Sequence, residues 1–200
     1  MSQRPQLHGP DPAGPEDRRL RDRALMVRVQ AGEPAAFEEL VRCYWAPLVR
    51  YVRRLAGDGD DARDAVQEAF ARLWARRLDW ESSPAGTVQS YLYRLARNVA
   101  IDELRQRRIR MAWGRRTGGP EGPDPPTPVQ LFDRARLREA LEQAIQALPE
   151  RRREVFTLGY LQDLTYREIA QVLDISVKTV ANQMWAAVGE LRRRLGEEEY

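Results

Sequence analysis

The sequence predicts an all-α protein made of two small helical domains joined by a flexible linker. Apolar residues recur at steps of three and four along most of the chain, as they do on one face of an α-helix. No run of alternating β-branched residues is long enough to indicate a strand. The chain has 200 residues, of which 42% are hydrophobic, and this suits two domains with modest cores.

The first domain is predicted at residues 16–113, after a disordered N-terminal tail. Residues 1–15 hold four prolines and two glycines with almost no apolar residue, so they are expected to stay unfolded. Helices are predicted at 17–31, 34–55, 60–78 and 87–110. Pro47 falls inside the second of these helices and is expected to kink or locally unwind it.

A Pro/Gly-rich break separates the two domains. Residues 114–130 contain five prolines and four glycines and cannot continue a helix. As extended polyproline-like chain, this linker spans up to about 50 Å. The second domain is predicted at 131–200, with helices at 131–148, 150–161, 165–173 and 176–195.

The composition disfavours several classes of site. Cys43 is the only cysteine and His8 the only histidine, so we expect no internal disulfide, no metal, no cofactor and no catalytic residues. No segment approaches the roughly 18 apolar residues of a membrane span, and the N-terminus has no apolar leader, so we expect a cytoplasmic protein. The net charge is only +3, so any affinity for nucleic acid must come from local clustering of charge.

The third predicted helix has an acidic face. Asp61, Asp64 and Glu68 fall on one side with Gln67 beside them. The opposite, apolar side consists of Ala62, Ala65, Val66, Ala69, Phe70 and Leu73. The pattern leaves two interpretations open, a solvated surface near a helix N-terminus or a docking surface for a basic partner.

The fourth predicted helix is strongly basic. Its six arginines stand against Asp102 and Glu103, a concentration of charge typical of a phosphate-binding surface. The apolar face consists of Val88, Tyr91, Leu92, Leu95, Ala96 and Val99, and the polar side of Arg94, Arg97, Asn98, Arg105 and Arg108. Tyr93 and Trp80 lie close in sequence and suit stacking on unpaired bases. The alternative is an exposed arginine-rich helix whose aromatic residues belong to the core.

The segment 165–195 has the pattern of a DNA-binding helix-turn-helix. Thr165 and Glu168 form a T-x-x-E capping box, and Ser176 is placed to cap the next helix after a tight turn. That helix keeps Val180, Met184, Ala187 and Leu191 at core spacing. Its outward residues are Lys178, Thr179, Ala181, Asn182 and Gln183, of which Asn182 and Gln183 suit adenine and Lys178 suits guanine or phosphate. A helical pair used only for protein packing is the alternative.

Together these segments resemble the extracytoplasmic-function group of the sigma-70 family of bacterial RNA polymerase sigma factors. Residues 22–55 (DRALMVRVQAGEPAAFEELVRCYWAPLVRYVRRL) resemble its first conserved stretch, and 60–74 (DDARDAVQEAFARLW) its polymerase-binding helix. Residues 90–108 (SYLYRLARNVAIDELRQRR) are similar to its minus-10 segment. Residues 147–180 (ALPERRREVFTLGYLQDLTYREIAQVLDISVKTV) are similar to its minus-35 reader. The two domains then correspond to sigma regions 2 and 4.

The resemblance implies roles for particular residues. Contacts to the clamp coiled coil of the largest subunit of core RNA polymerase are expected from Asp61, Asp64, Gln67 and Glu68. Contacts to single-stranded and duplex minus-10 DNA are expected from Trp80, Tyr93, Arg94, Arg97, Asn98, Arg105 and Arg108, with the loop 80–89 as a pocket for a flipped base. Contacts to the minus-35 duplex are expected from Thr165, Ser176, Lys178, Thr179, Ala181, Asn182 and Gln183. An anti-sigma factor is a further candidate partner.

The recognition helix departs from the family pattern. Where the family commonly places several Lys or Arg residues, this chain has Ala181, Gln183, Trp185, Ala186 and Val188. The minus-35 preference is therefore open, and Trp185 is a candidate contact for a protein partner or a partly buried packing residue. Three other functional classes compete with a sigma factor: a stand-alone helix-turn-helix regulator, a helical protein-interaction module and, least supported, an enzyme.

Overall fold

The computed structural model describes residues 14–56, 61–81, 86–113 and 134–196, and in this part of the chain every regular element is a helix. The predicted all-α class and the two helical groups are therefore confirmed. The predicted linker at 114–130 and all but the last two residues of the predicted tail lie outside the described residues. No helix in the described part is long and apolar enough to cross a membrane.

Four helices and one short 3-10 turn form the first group. They are α1 (Pro15–Gln30), α2 (Pro34–Ala56), α3 (Asp61–Ala75), the 3-10 turn Arg77–Asp79 and α4 (Val88–Trp113). Helix α1 begins at Pro15, the last residue of the predicted tail, because proline suits the first turn of a helix. Gly32 makes the turn into α2 at a φ of +83°, which glycine adopts without steric cost.

Helix α2 passes through Pro47 as one continuous helix, so the predicted local unwinding does not occur. Leu48 and Val49 directly after the proline are buried, as is Tyr44 one turn before it. Packing of these side chains against the neighbouring helices holds α2 together across the missing backbone donor.

The core of the first group matches the predicted helical periodicity. All six apolar positions predicted for α3 are buried. From α4, Val88, Leu92, Ala96 and Val99 are buried, while Tyr91 and Leu95 are partly buried against the same core. The acidic side of α3 is left facing outward.

The second group consists of α5 (Arg134–Gln146), α6 (Glu150–Phe156), a π-helical turn (Thr157–Leu161), α7 (Tyr166–Leu173) and α8 (Val177–Gly196). The helix predicted at 150–161 is thus α-helical only in its first half. Gly159 explains the tight packing of the wider turn, since a Cβ there would lie 2.4 Å from Cε of Met184 and 3.3 Å from Cδ1 of Ile169.

The two groups pack against each other, chiefly through α4 and α7. This contact was not predicted from the sequence. The contact covers a second face of α4. Tyr93 on this face is fully buried, and Arg97 is half-buried. Helix α4 therefore lies between the core of its own group and the helix-turn-helix group.

Candidate polymerase and nucleic-acid interfaces

The acidic face of α3 lies on the surface at the first two turns of the helix. Asp64, Gln67 and Glu68 are exposed, and the side chain of Asp61 is half exposed. Asp61 forms an ion pair with Arg107 of α4, and Glu68 accepts a 2.8 Å hydrogen bond from Arg72 one turn later. Of the three carboxylates, that of Asp64 is the one without an ion pair among the described residues.

Glu103 of α4 extends the acidic face, although it is not among the residues predicted to bind polymerase. Burial raises the pKa of Glu103, the charges of Asp64 and Glu68 raise it further, and Arg72 opposes them. A carboxylate in this position increases the negative potential that a basic partner would meet. The sequence signal was present, because Glu103 continues the inward spacing of Leu92, Ala96 and Val99 toward α3.

The exposed side of α4 carries part of the predicted minus-10 surface. Arg94, Asn98 and Arg105 are exposed. The guanidinium of Arg94 lies 5.5 Å from the ring centroid of Tyr91, so a cation and an aromatic face are presented together. This pairing suits a phosphate and an unstacked base on the same strand. The side chain of Arg108 lies outside the described residues.

Three other residues predicted to contact minus-10 DNA face inward in this arrangement, namely Tyr93, Trp80 and, as described below, Arg97. Tyr93 is fully buried, donates to the side-chain carbonyl of Gln162 and packs edge-on against Tyr51 with the ring centroids 5.2 Å apart. Trp80 is 8% exposed, and its backbone carbonyl accepts a 2.8 Å hydrogen bond from Gln30. Residues 82–85 of the predicted base pocket lie outside the described residues, so the pocket stays a prediction.

Arg97 is held by a carboxylate of the second group. Its Nε donates to Oε1 of Glu154 at 2.7 Å, and the hydroxyl of Tyr51 donates to the same oxygen at 2.9 Å. Burial lowers the pKa of Arg97, but the hydrogen bond and charge of Glu154 outweigh it and raise the pKa above its usual range. Burial and the charge of Glu154 also raise the pKa of Tyr51, which keeps the phenol protonated as a donor.

The helix-turn-helix has the local geometry that its sequence predicts. Oγ1 of Thr165 accepts from the backbone N–H of Glu168 at 3.4 Å, and the backbone N–H of Thr165 donates to Oε2 of Glu168 at 2.7 Å. The capping box is therefore confirmed. Asp174 ends α7 in the left-handed conformation with a φ of 53°, and Oγ of Ser176 caps α8 by accepting from the N–H of Thr179 at 3.0 Å.

The outer face of α8 is weakly charged in its first three turns, and its arginines lie near its end. Lys178, Thr179 and Asn182 are exposed at its first turns, whereas Ala181 and Gln183 are partly buried. The inward positions Val180, Met184, Ala187 and Leu191 are buried as predicted. Trp185 is 82% exposed, so it does not serve as a packing residue among the described parts of the chain. The first turns of α8 are free to approach a DNA groove, and their base contacts stay predictions.

The described residues contain no group of three or more His, Cys, Asp or Glu side chains that could hold a metal ion. The donors that the structure brings together are arginines, amides and hydroxyl groups on helix faces. Such groups bind phosphates, base edges and protein carboxylates.

Comparisons with known proteins agree with both helical groups. Residues 40–109 match the family model for sigma-70 region 2, and residues 138–188 match that for sigma-70 region 4. The ECF RNA polymerase sigma factor SigL of Mycobacterium tuberculosis is 34% identical over 178 residues, covering 86% of this chain and 97% of that protein. The ECF RNA polymerase sigma-E factor of Escherichia coli is 32% identical over 182 residues, covering 84% of this chain and 91% of that protein.

A solved structure shows the same fold at lower identity. It is the sigma factor RpoE of Bartonella quintana in complex with the anti-sigma factor NepR, with a TM-score of 0.63 and 18% identity. The match covers 80% of this chain and 96% of that one. The two-domain helical fold is therefore shared with that chain.

Proposed function

The chain belongs to the extracytoplasmic-function group of the sigma-70 family, and from this premise we propose that it binds core RNA polymerase and directs promoter-specific transcription initiation. The observation that carries the proposal is the presence of both sigma regions in one chain, in the family's order. The relatives are named as sigma factors, and we propose that this chain likewise acts by binding and has no catalytic activity. Its place of action is then the cytoplasm, where core polymerase works.

The first domain, residues 16–113, is proposed to dock on polymerase. Asp61, Asp64, Gln67 and Glu68 form the proposed contact to the clamp coiled coil of the largest subunit. Glu103 supports the same surface from α4. Burial raises its pKa, and the charges of Asp64 and Glu68 raise it further against that of Arg72, so Glu103 lies within their negative field. A basic coiled coil would relieve this repulsion, which favours docking over a merely solvated surface.

The same domain is proposed to bind unpaired minus-10 DNA through α4. Arg94, Asn98 and Arg105 are exposed for contact with the strand. Tyr93, Arg97 and Trp80 belong to the proposed surface but are covered here by the second domain or by the core. Arg108 completes the set by its place in the family's minus-10 segment.

The second domain, residues 131–200, is proposed to read the minus-35 duplex. Thr165 and Ser176 fix the two helices through their caps, and α8 presents Lys178, Thr179, Ala181, Asn182 and Gln183 toward the groove. Lys178 is the one cation in the first three turns of this helix, so we expect weak phosphate attraction there and a salt dependence shallower than that of a lysine-rich helix.

An anti-sigma factor is a further proposed partner. The indole of Trp185 is 82% exposed at a position where the family commonly carries a more polar recognition face. An exposed tryptophan is typical of the centre of a protein interface.

Promoter binding with and without core polymerase tests the proposal against its main competitor. A gel shift with promoter fragments is expected to need both the chain and core enzyme. A stand-alone helix-turn-helix regulator would shift its operator without core. A helical protein-interaction module would shift no DNA in either case, and Arg94→Ala and Arg97→Ala would not affect open-complex formation by polymerase.

A further inference from the structure

A cavity of about 210 Å³ lies between the last turns of α2 and the helix that begins at Glu150. Four side chains at helical spacing line it from the second of these helices, and they belong to Glu150, Arg153, Glu154 and Thr157. The volume is several times the roughly 30 Å³ that one water molecule occupies in the liquid, and it lies below the roughly 300 Å³ at which pockets for drug-sized molecules begin. The cavity therefore suits a molecule with few non-hydrogen atoms.

The hydroxyl group of Thr157 lies in the wall of this cavity without a hydrogen-bond partner. Thr157 is 2% exposed and begins the π-helical turn that follows α6, a kind of turn that is frequent at functional sites. A threonine hydroxyl within a helix can donate to the carbonyl one turn earlier, but this one makes no such bond. A buried polar group without a partner costs free energy, which a ligand with a polar atom at this place would recover.

Two of the four charged side chains around the cavity are already paired within the protein. Glu154 accepts hydrogen bonds from Nε of Arg97 at 2.7 Å and from the hydroxyl of Tyr51 at 2.9 Å. Nη2 of Arg54 lies 2.8 Å from a carboxylate oxygen of Glu142. These contacts hold the walls in place, and the other two charges are left to meet a ligand.

The other two charges belong to Glu150 and Arg153, and neither has an ion-pair partner among the described residues. Nη1 of Arg153 donates to the backbone carbonyl and to the side-chain oxygen of Gln146, at 3.1 and 2.9 Å, and both of these acceptors are neutral. Glu150 is exposed at the mouth of the cavity. The two side chains are three residues apart on one helix, a spacing at which opposite charges can pair, yet they do not contact each other.

We propose that this cavity binds a free α-amino acid with a small, uncharged side chain. Its lining contains two arginines and two glutamates, so a ligand of zero net charge leaves no charge uncompensated. The guanidinium of Arg153 and the hydroxyl of Thr157 would bind the carboxylate of the ligand, and Glu150 would bind its ammonium group. Tyr51 and Leu55 provide an apolar wall for its side chain. The site goes beyond the proposed function, because it involves neither polymerase nor DNA.

Ligand-observed NMR with the full-length protein tests the proposal without any substitution. Glycine, L-alanine, L-serine and L-valine are titrated one at a time, and each is compared with analogues that lack its ammonium or its carboxylate group. For L-valine these analogues are isovalerate and isobutylamine. We expect saturable binding of at least one amino acid with a Kd on the order of 1 mM, because so small a ligand makes few contacts. Each single-charge analogue is expected to bind at least about tenfold more weakly.

Three conservative substitutions assign the binding to this cavity. Thr157→Val keeps the shape of the side chain and removes the hydroxyl, so we expect about tenfold weaker binding together with an equal or higher melting temperature in the absence of ligand. Glu150→Gln and Arg153→Gln each remove one of the two charges and are expected to weaken binding by about the same factor. Arg151→Gln is the matched control and is expected to bind normally, because Arg151 is exposed on the same helix and lies outside the cavity.

Three results would each overturn the proposal. The first is the absence of saturable binding by every amino acid tested, which would mean that the cavity holds only water. The second is equal binding of an amino acid and its single-charge analogues. The third is unchanged affinity in folded Thr157→Val and Arg153→Gln proteins, which would place the bound amino acid elsewhere. Circular dichroism checks the folding of each variant, and the comparison of analogues decides the question in the unsubstituted protein if a variant does not fold.

Discussion

Replacing Glu103 with glutamine is expected to stabilise the fold while weakening polymerase binding. Burial raises the pKa of Glu103, and the charge of Asp64 and then that of Glu68 raise it further, against the opposing charge of Arg72. At neutral pH the ionised carboxylate of Glu103 therefore lowers the stability of the folded state. Glutamine has nearly the same shape and carries no charge. Like-charge contacts at a solvated surface cost a few tenths of a kcal/mol each, so the expected gain in unfolding free energy is about 0.5 kcal/mol.

The gain in unfolding free energy from Glu103→Gln is expected to increase with pH. Because the pKa of Glu103 is higher in the folded than in the unfolded chain, ionisation costs more in the folded state. The penalty grows as pH rises from the unfolded-state pKa of about 4.3 through the folded pKa and is constant above it. Urea unfolding is therefore expected to show the stabilisation at pH 7 and to lose it near pH 4.

Polymerase binding by the Glu103→Gln variant tests whether the charge of Glu103 contributes to binding as well as to stability. Titration of core enzyme with labelled protein is expected to show a severalfold loss of affinity for Glu103→Gln, since the proposed surface attracts a basic partner. Glu38→Gln, at an exposed carboxylate of α2, is the control and is expected to leave both stability and affinity unchanged. A destabilised Glu103→Gln protein at pH 7, or one with undiminished core affinity, would refute this reasoning.

The remaining predictions concern the DNA-binding and partner surfaces. Thr165→Ala is expected to lower the free energy of unfolding by about 1 to 2 kcal/mol, because the capping box is partly buried. Ser176→Ala is expected to lower it by about 0.5 to 1 kcal/mol, because the cap of α8 is exposed. Urea unfolding measures both losses, and equal losses would contradict this difference between the two caps. Arg94→Ala is expected to slow open-complex formation severalfold in permanganate footprinting, while the exposed Arg42→Ala control has no effect. Trp185→Ala is expected to weaken a complex with a cognate anti-sigma factor at least tenfold in a pull-down titration, and unchanged affinity would remove Trp185 from that interface.

The local structure was largely predictable because it depends on neighbouring residues. The inward face of α3 from Ala62 to Leu73 and the caps at Thr165 and Ser176 follow from periodicity and from hydrogen bonds within four residues. The π-helical turn after Phe156 was not predictable from periodicity, and neither was the close approach of Met184 to Gly159 within it, which joins residues far apart in sequence. Pro47 was expected to kink or locally unwind α2, and the unwinding does not occur, because tertiary packing compensates for the lost backbone hydrogen bond.

The contact between the domains could not be predicted from helix patterns. Glu154 and Arg97 are 57 residues apart, and each reads in sequence as an ordinary charge on a solvated helix face. Only the folded chain shows that Tyr93 has a hydrogen-bond partner in the other domain. The predicted roles of these residues in DNA binding stay predictions, and in this arrangement Tyr93 and Arg97 contact side chains of the second domain.

Run-off transcription with reconstituted core polymerase tests the central claim most directly. The protein and core enzyme are combined on a library of promoter fragments, and the start sites are mapped. We expect initiation at defined sites that requires both components and is lost when Asp64 is replaced by lysine, whose charge opposes a basic coiled coil. Absence of initiation with active core enzyme, or initiation at the same sites without this protein, would contradict the assignment as a sigma factor.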